Sequence, residues 1–323
     1  MKLGVIGAGA WGTALAQVIA RQGETLLWAR EAEVVAAIND THENGQFLPG
    51  VPLSPAIRAT GDLSALTDCG ALLVVVPAQF VRAVLRAAPI GTRPLILCAK
   101  GIEAGSAKLI SEVAAELHPA APLAVLSGPS FAREVAAGKP TALTLACADP
   151  NLRTALVARL AGDALRLYGS SDVIGAEIGG AVKNVLAIAC GVVAGAGLGE
   201  NARAATIARG FAEMVRFGLA RGGRPETLTG LSGLGDLVLT CGSTQSRNFA
   251  LGVGLGEGRA AAALLGDRKT VAEGAATAPV LRKAAQAAGV EMPVVDAVCA
   301  LLEGASVDAV IEALLSRPLK DES

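Results

Sequence analysis

The stretch KLGVIGAGAWGTALA, Lys2–Ala16, decides the fold of the first half of the chain. A short apolar strand, Lys2–Ile6, is followed by a GxGxxG motif, and apolar residues then recur at helical spacing over Thr13–Arg21. The first glycine permits a tight turn, the second lets the backbone approach a pyrophosphate, and the third lets helix pack on strand. The phosphates would lie at a helix N-terminus, where free N–H groups favour an anion. The motif predicts a dinucleotide site formed by Gly7, Gly9 and Gly12.

Further apolar runs, separated by turn signals and amphipathic stretches, continue to about residue 175. The predicted strands are Thr25–Ala29, Ala71–Val76, Leu95–Ala99, Leu123–Leu126 and Thr141–Ala146. Continuous apolar strands with intervening helices indicate a mostly parallel sheet covered on both faces. The sequence therefore predicts an α/β domain of the Rossmann type over residues 1–175, which binds NAD(P).

Helical patterns replace the strands after about Asp172. The predicted helices are Ile174–Ala196, Arg203–Arg221, Ala260–Leu265, Thr277–Gly289 and Val294–Glu303. Glycine-rich segments between them, notably Thr229–Asp236 and Leu251–Gly258, are interpreted as loops. Residues 176–323 are predicted to form an all-α domain that binds substrate and carries the catalytic groups.

The amino-acid composition indicates which kinds of ligand and partner to expect. The 323 residues carry a formal net charge of -1, which is unlike the strongly basic character of a nucleic-acid-binding protein. An anionic substrate would need a local cluster of cations. The six cysteines form no CxxC and are expected to be buried, reduced thiols. Because the chain has only two histidines, His42 and His118, no multi-histidine metal site is expected, and another side chain must transfer protons.

Two features bear on location. The first strand begins at Lys2, which leaves no room for a signal peptide, so we expect a cytoplasmic protein. Ile178–Leu198 is apolar and about as long as a bilayer span. It contains Lys183 and Asn184 and lacks a Trp/Tyr belt or basic flank, which favours a buried helix of a soluble protein without stable membrane insertion.

Arg30 bears on the choice of dinucleotide. It follows the second strand, where an NAD-specific site would place an acidic residue for the ribose hydroxyls. An arginine can instead pair bidentately with the 2′-phosphate of NADP. Glu31 follows immediately and could serve NAD. NADP(H) is favoured over NAD(H), and a solvated surface charge is the simpler alternative for Arg30.

Lys183 lies in an apolar helix, with Gly179 and Gly180 on the same face beside a predicted groove. Burial would lower the pKa of its ammonium, which makes Lys183 a candidate general acid/base for carbonyl/alcohol interconversion. A lysine that extends to the surface is the alternative. Asp236 ends a glycine-rich loop and is a plausible partner for Lys183, or else a helix N-cap.

Three further segments suit a small phosphorylated substrate. Lys100 follows a strand, and carboxyl ends of strands are where open parallel sheets bind ligands. Ser127–Phe131 (SGPSF) follows another strand and offers hydroxyl and backbone N–H groups. Ser246-Arg247-Asn248 is predicted to open a helix, a position that suits a phosphate monoester. Each segment alone could be ordinary turn chemistry.

Several motifs in order along nearly the whole chain resemble one family, the bacterial-type NAD(P)-dependent glycerol-3-phosphate dehydrogenases. They are GAGAWGTALA, CAKGIE (Cys98–Glu103), SGPSFAREVAAGKPTA (Ser127–Ala142), EIGGAVKNVLAIACG (Glu177–Gly191), LSGLGDLVLTC (Leu231–Cys241), QSRN (Gln245–Asn248) and VAEG (Val271–Gly274). The resemblance implies reversible reduction of dihydroxyacetone phosphate to sn-glycerol 3-phosphate, which feeds glycerophospholipid synthesis, and a homodimer. Motifs in both domains are far more specific than a GxGxxG alone.

The resemblance also implies roles for matching residues. Lys183 resembles the general acid/base, Asp236 would orient it and contact substrate, and Lys100 adds positive charge at the reacting oxygen. The implied substrate contacts are Lys100, Gly128, Ser130, Ser246, Arg247 and Asn248, with Arg247 on the phosphate. The implied cofactor contacts are Trp11, Arg30, Lys100, Ala132, Arg247, Val271 and Glu273. Ala10 stands where the family often has Ser, which leaves the backbone cradle intact.

Two other functions remain open from the residues alone. One is another two-domain dehydrogenase with a lysine on a helix, of the 3-hydroxyacid or 6-phosphogluconate type, which would need a carboxylate-bearing substrate. The other is a non-catalytic NAD(P)-binding sensor. Lys183 together with the Ser246–Asn248 segment argues against a sensor.

Overall fold

An eight-stranded sheet organises the N-terminal half in the computed structural model, which describes residues 2–266 and 272–318. The strands are β1 Leu3–Ile6, β2 Thr25–Trp28, β3 Ile57–Thr60, β4 Ala71–Val74, β5 Leu95–Leu97, β6 Leu123–Ser127, β7 Thr141–Cys147 and β8 Leu165–Ser170. Their order in space is β3-β2-β1-β4-β5-β6-β7-β8. Every neighbouring pair is parallel except β6 and β7. The first six strands have the order of dinucleotide-binding sheets, which confirms the predicted Rossmann-type domain.

Two strands, β3 and β8, are absent from the sequence-based prediction. In β8, Leu165 and Leu167 are buried while Arg166 and Tyr168 are exposed. In β3, buried Ile57 alternates with an exposed residue in the same way. Both strands lie at an edge of the sheet, and their alternating burial shows that only one face of each is covered. Neither therefore shows the continuous apolar run by which the central strands are recognised.

Helices cover the sheet and form the C-terminal half. Those of the N-terminal half are α1 Ala10–Ile19, α2 Ala32–Thr41, α3 Val81–Ala87, α4 Ile110–Leu117, α5 Ala132–Ala136 and α6 Pro150–Leu160. They are followed by α7 Val173–Gly195, α8 Glu200–Ala220, α9 Pro225–Leu228, α10 Asp236–Cys241, α11 Arg247–Gly256, α12 Ala261–Leu265, α13 Glu273–Ala287, α14 Pro293–Leu302 and α15 Val307–Leu315. A π-helical turn, Leu231–Gly235, precedes α10. In the described part of residues 172–318 there is no strand, as the sequence predicts.

Helix α7 is the centre of the helical half. By length and composition it could cross a bilayer, but 89% of its apolar 18-residue stretch is buried inside the protein. Its glycines meet those of α11 at backbone distance. A Cβ on Gly252 would lie 2.0 Å from the carbonyl oxygen of Ile188, and a Cβ on Gly191 would lie 2.1 Å from that of Phe249. The apolar, glycine-rich composition of α7 therefore serves close packing between helices.

The interpretation of Leu251–Gly258 as a loop is wrong, because α11 continues to Gly256. Glycines usually mark turns, but Gly252 and Gly256 of α11 are points at which α11 touches the backbone of α7. A glycine lowers helix propensity by about 1 kcal/mol relative to alanine, and tertiary packing overrides that cost here. The local sequence gives no signal that distinguishes the two roles.

The two halves are joined where α4 abuts α7 and α8. The buried carboxylate of Glu177 accepts hydrogen bonds from the backbone N–H of Ser111, at 2.8 Å, and from the Ser111 hydroxyl. Arg221 pairs with Glu112 at 3.1 Å. These contacts fix α7 against the sheet domain. The domain boundary between residues 175 and 176 stays a prediction; α7 itself begins at Val173.

Candidate active site

The turn between β1 and α1 has the geometry that the GxGxxG motif predicts. Gly7 has a φ of +114°, and a Cβ there would lie 2.9 Å from the carbonyl oxygen of Val75. A Cβ on Gly12 would lie 1.8 Å from the carbonyl oxygen of Gly7, so only glycine allows the helix to pack this closely. Nothing lies within 4 Å of a Cβ on Gly9, which leaves its backbone open to a ligand. No side chain caps the start of α1, so its first N–H groups are free for phosphate.

Other predicted cofactor residues surround this turn. Ala10 and Trp11 begin α1, and the buried indole N–H of Trp11 donates to no acceptor in the described residues. Arg30 follows β2, whose end is held by a hydrogen bond of 3.0 Å from Gly7 N to the Trp28 carbonyl. The switch point of the strand order lies between β1 and β4, where such sheets bind dinucleotides. The glycines, Ala10, Trp11 and Arg30 thus lie at one edge of the sheet.

Lys183, Asp236 and Lys100 form a buried cluster. Asp236 Oδ1 lies 3.2 Å from Lys183 Nζ, and Asp236 Oδ2 lies 2.6 Å from Lys100 Nζ. The side chains are 10%, 2% and 14% exposed for Lys183, Asp236 and Lys100. One carboxylate therefore pairs with two ammonium groups, and the cluster has a formal charge of +1. The expected contact between Lys183 and Asp236 is present, and Lys183 does not extend into solvent.

The environment shifts the pKa values of two members of the cluster. Burial lowers the pKa of the Lys183 ammonium; the negative charge of Asp236 opposes this shift, and the positive charge of Lys100 adds to it. Burial by itself would raise the pKa of the Asp236 carboxyl, but the charges of Lys100 and Lys183 hold it below its ordinary value. The site thus keeps its carboxylate ionised and makes the Lys183 proton easier to release.

The glycines beside Lys183 bring other elements close. A Cβ on Gly179 would lie 2.5 Å from the carbonyl oxygen of Ser232, and one on Gly180 would lie 2.9 Å from Ser127 Oγ and 3.2 Å from Lys100 Cγ. The predicted groove is therefore filled by the π-helical turn on one side and by Lys100 on the other. These glycines allow α7 to approach the residues that meet Lys183.

The segment after β6 supports Lys100. The carbonyl of Gly128 accepts hydrogen bonds from Lys100 Nζ, at 3.0 Å, and from Ser130 Oγ, at 3.1 Å. Gly128 has a φ of +137°, in a region that side chains rarely adopt. Ala132 is the first residue of α5 and is half-buried. Lys100, Gly128 and Ser130 are thus brought together with Lys183 and Asp236.

A chain of carboxamides links α7, α11 and α13. Asn184 donates to the backbone carbonyl of Lys100 at 3.1 Å, and Asn248 donates to Asn184 Oδ1 at 2.9 Å. The Gly274 N–H donates to Asn248 Oδ1 at 2.9 Å. The neighbouring Glu273 accepts from the Ala78 N–H at 3.0 Å, which ties α13 to the sheet domain. Asn248 and Glu273 therefore border the lysine cluster.

Three predicted residues remain, namely Ser246, Arg247 and Val271. Ser246 is the N-cap of α11, as the sequence predicts, and its hydroxyl accepts from Phe249 N at 3.2 Å. Arg247 is exposed at the first position of α11, near enough for its charge to act on Glu273, whose pKa is raised by burial. Val271 lies outside the described residues.

Sequence reasoning missed two polar contacts at the cluster. Thr240 Oγ1 accepts from Lys183 Nζ at 3.0 Å and lies 2.6 Å from the backbone carbonyl of Asp236. Its signal was the spacing of four residues after Asp236, which puts both on one face of α10. Asn184 follows Lys183 directly in the sequence. Its role depends on contacts with elements remote in sequence and had no local signal.

The prediction that the six cysteines are buried, reduced thiols is confirmed. All six are buried, and none forms a disulfide. Within residues 2–266 and 272–318, no group of three or more His, Cys, Asp or Glu side chains is arranged to hold a metal ion. The site therefore consists of lysine, carboxylate, hydroxyl and amide groups beside a dinucleotide-type turn.

Comparison with known proteins assigns the family. Residues 2–153 match the model of the NAD-dependent glycerol-3-phosphate dehydrogenase N-terminus, and residues 172–312 match that of its C-terminus. The chain is 62% identical to glycerol-3-phosphate dehydrogenase [NAD(P)+] 1 of Sphingopyxis alaskensis, over 99% of this chain and 98% of that one. It is 58% identical to glycerol-3-phosphate dehydrogenase [NAD(P)+] of Caulobacter vibrioides, over 100% and 99% of the two chains.

A solved structure agrees with this assignment. The crystal structure of glycerol-3-phosphate dehydrogenase from Coxiella burnetii is 39% identical, with a TM-score of 0.92 over 98% of this chain and 99% of that chain. Both halves of the chain, and the order in which they occur, are thus shared with one group of oxidoreductases. The chain belongs to the NAD-dependent glycerol-3-phosphate dehydrogenase family.

Proposed function

We propose that this protein catalyses the reversible NAD(P)H-dependent reduction of dihydroxyacetone phosphate to sn-glycerol 3-phosphate. Its relatives carry the name of this activity over their whole length. The observation that supports it most directly is Asp236 held between Lys100 and Lys183, next to the dinucleotide-type edge of the sheet. A net positive, largely buried cluster is suited to a substrate that is anionic and develops further negative charge during reaction.

The turn between β1 and α1 fits the cofactor. Gly7, Gly9 and Gly12 leave the backbone room that a pyrophosphate requires, and the free N–H groups of α1 would bind it. When bound, the nicotinamide supplies the hydride that reduces the ketone carbon. Trp11, Ala132 and Glu273 border this edge and are assigned as further contacts, and Val271 is assigned with them from the resemblance.

Lys183 is assigned as the general acid of the reduction. Its Nζ proton would pass to the ketone oxygen as that oxygen gains negative charge, and the reverse transfer would serve alcohol oxidation. The lowered pKa favours release of the proton. Asp236 and Thr240 hold the ammonium in place, since both contact Nζ. Lys100 adds a second positive charge that stabilises the alkoxide before it is protonated.

The start of α11 is assigned to the substrate phosphate. Arg247 has a guanidinium suited to a phosphate monoester, and Ser246 lies beside it at the N-cap. Asn248 uses its Oδ1 and one N–H within the carboxamide chain, which leaves its second N–H for substrate. Gly128 and Ser130 offer polar groups near Lys100. The substrate would thus lie with its phosphate at α11 and its carbonyl at Lys183.

Absorbance at the nicotinamide band tests this function. Purified protein is mixed with NADPH or NADH and either dihydroxyacetone phosphate or dihydroxyacetone. We expect rapid oxidation of the cofactor only when the substrate carries the phosphate. No oxidation by folded protein with either cofactor would contradict the proposal and favour a 3-hydroxyacid dehydrogenase or a sensor.

We further propose a cytoplasmic homodimer whose product supplies glycerophospholipid synthesis, with NADP(H) the preferred cofactor. Arg30 at the end of β2 supports the preference, since it can pair with a 2′-phosphate. The net charge of -1 and the burial of α7 support a protein that acts apart from nucleic acid and membranes. Light scattering during gel filtration would measure the mass of the assembly, and a mass of one chain would rule out the dimer.

A further inference from the structure

The ion pair between Arg30 and Glu31 follows β2, where dinucleotide-binding sheets place the side chain that contacts the adenosine ribose. Glu31 Oε1 is 2.6 Å from Arg30 Nη2 and 3.1 Å from Arg30 Nε. Both residues follow β2, at the carboxyl edge of the sheet. One carboxylate oxygen thus engages the whole Nε–Nη2 edge of the guanidinium, which is an edge that pairs bidentately with phosphate.

The side chain of Glu31 accepts hydrogen bonds from Arg30 and none from the backbone of its own helix. Glu31 is the N-cap residue of α2, but its side chain caps no backbone N–H of that helix. It is 25% exposed, whereas the Arg30 side chain is 75% exposed. Glu31 is therefore the more buried partner of the pair, and the guanidinium of Arg30 folds back onto it.

We infer that Glu31 sets the balance between the two dinucleotides by competing with the 2′-phosphate of NADP for Arg30. A 2′-phosphate must either displace the carboxylate or bind the outer edge of a guanidinium that is already neutralised. In both cases it meets a negative charge within a few ångströms. The uncharged 2′-hydroxyl of NAD meets no such repulsion, so Glu31 weakens only NADP binding. The inference rests on the proposed function for the identity of the cofactors.

The test measures binding without turnover. Dissociation constants of NADP+ and NAD+ are determined by titration calorimetry for the wild type and for Glu31→Gln at about 0.05 M salt. We expect Glu31→Gln to bind NADP+ about fivefold more tightly, the scale of an exposed ion pair, and NAD+ with unchanged affinity. Salt screens charges that are accessible to solvent. The ratio of the two NADP+ affinities should therefore approach one near 1 M salt, where the Debye length is about 3 Å.

Two variants separate competition from other effects. Glu33→Gln removes an exposed carboxylate from the first turn of the same helix, two residues away, and should leave both affinities unchanged. When Arg30 is already replaced by glutamine, Glu31→Gln should change the affinity for NADP+ much less. The guanidinium for which the Glu31 carboxylate and the 2′-phosphate compete is then absent.

An unchanged NADP+ affinity in Glu31→Gln would overturn the inference. So would a loss of NAD+ affinity with NADP+ unaffected, because Glu31 would then be an acceptor for ribose hydroxyls. If the wild type binds NADP+ and NAD+ but oxidises neither NADPH nor NADH with dihydroxyacetone phosphate, the proposed function fails, while the binding data still decide this inference.

Discussion

One carboxylate oxygen of Asp236 lies 3.2 Å from the Nζ of Lys183. Its other oxygen lies 2.6 Å from the Nζ of Lys100, which belongs to the opposite half of the chain. Lys100 and Asp236 are 136 residues apart in sequence. The Lys100–Asp236 ion pair therefore exists only while the sheet domain and the helical half are docked, whereas the Lys183–Asp236 pair lies within the helical half. A buried carboxylate beside two cations keeps its charge, because Lys100 and Lys183 hold its pKa below the ordinary value, and the cluster retains a formal charge of +1.

Replacement of Lys183 by alanine should abolish proton transfer while leaving cofactor binding intact. We expect kcat to fall by at least about 100-fold, the scale of lost acid/base catalysis. Steady-state kinetics with dihydroxyacetone phosphate and calorimetry with NADPH measure the two properties. Lys139→Ala, which removes a lysine with a side chain 63% exposed, is the control and should keep wild-type turnover. Near-normal kcat in Lys183→Ala would remove Lys183 from the mechanism.

Thr240→Val should impair turnover through Lys183, since valine keeps the shape of threonine but loses the hydroxyl that contacts Nζ. We expect kcat to fall about tenfold, which corresponds to the loss of one hydrogen bond to a charged group. The pH dependence of kcat should shift as well, because the Lys183 ammonium loses an acceptor. Thr240→Ser, which keeps the hydroxyl, should restore most of the rate; equal losses in both variants would point to packing instead.

Arg247→Ala should remove recognition of the substrate phosphate. The ratio of kcat/KM for dihydroxyacetone phosphate to that for dihydroxyacetone should fall by at least about tenfold, since a charged hydrogen-bonded pair contributes about 1.5–3 kcal/mol. Both substrates are assayed with the same cofactor at saturation, so that a change in cofactor binding cancels. An unchanged ratio would exclude Arg247 as the phosphate ligand.

Glu177 should make stability depend on pH near neutrality. Burial raises the pKa of its carboxyl from 4.5 to about 7, with the Ser111 hydrogen bonds opposing and the charge of Glu112 adding to the rise. The folded state thus favours the protonated form, and its contribution is present below pH 4.5 and lost as pH rises through about 7. Relative to Glu177→Gln, the wild type should lose roughly 2–3 kcal/mol between pH 4.5 and 8.

Urea unfolding of both proteins at several pH values measures that difference. The comparison removes the contribution of groups that titrate equally in the two proteins. A difference in unfolding free energy that is flat across this range would show that folding does not raise the pKa of Glu177.

Gly252→Ala should destabilise the helical half, because a Cβ there would lie 2.0 Å from the carbonyl oxygen of Ile188. Relieving the overlap requires α11 to move away from α7, at a cost of at least about 2 kcal/mol. Thermal unfolding monitored by circular dichroism should show a lower Tm. Gly45→Ala is the control, since nothing lies within 4 Å of a Cβ at that position. Equal Tm values for both variants would mean that the helices accommodate the methyl group.

The sequence by itself determined the features that depend on local pattern. The β1–α1 turn follows from glycine spacing after a strand, the central strands from continuous apolar runs, and the N-cap at Ser246 from capping chemistry. The special place of Lys183 also follows, because an ammonium in a long apolar helix must be buried with a partner or be near an end. Such signals are local, since each arises from neighbours along the chain.

Only the tertiary structure decided which remote groups meet. That Asp236 bridges Lys100 and Lys183, and that Asn184 joins Lys100 to Asn248, depends on the docking of α7 between the sheet and α11. Packing likewise decided that Gly252 and Gly256 lie in a helix, because they allow α11 to approach the backbone of α7, which is remote in sequence. Contacts between distant segments are set by the balance of burial and close packing over the whole core, which no stretch of the sequence contains.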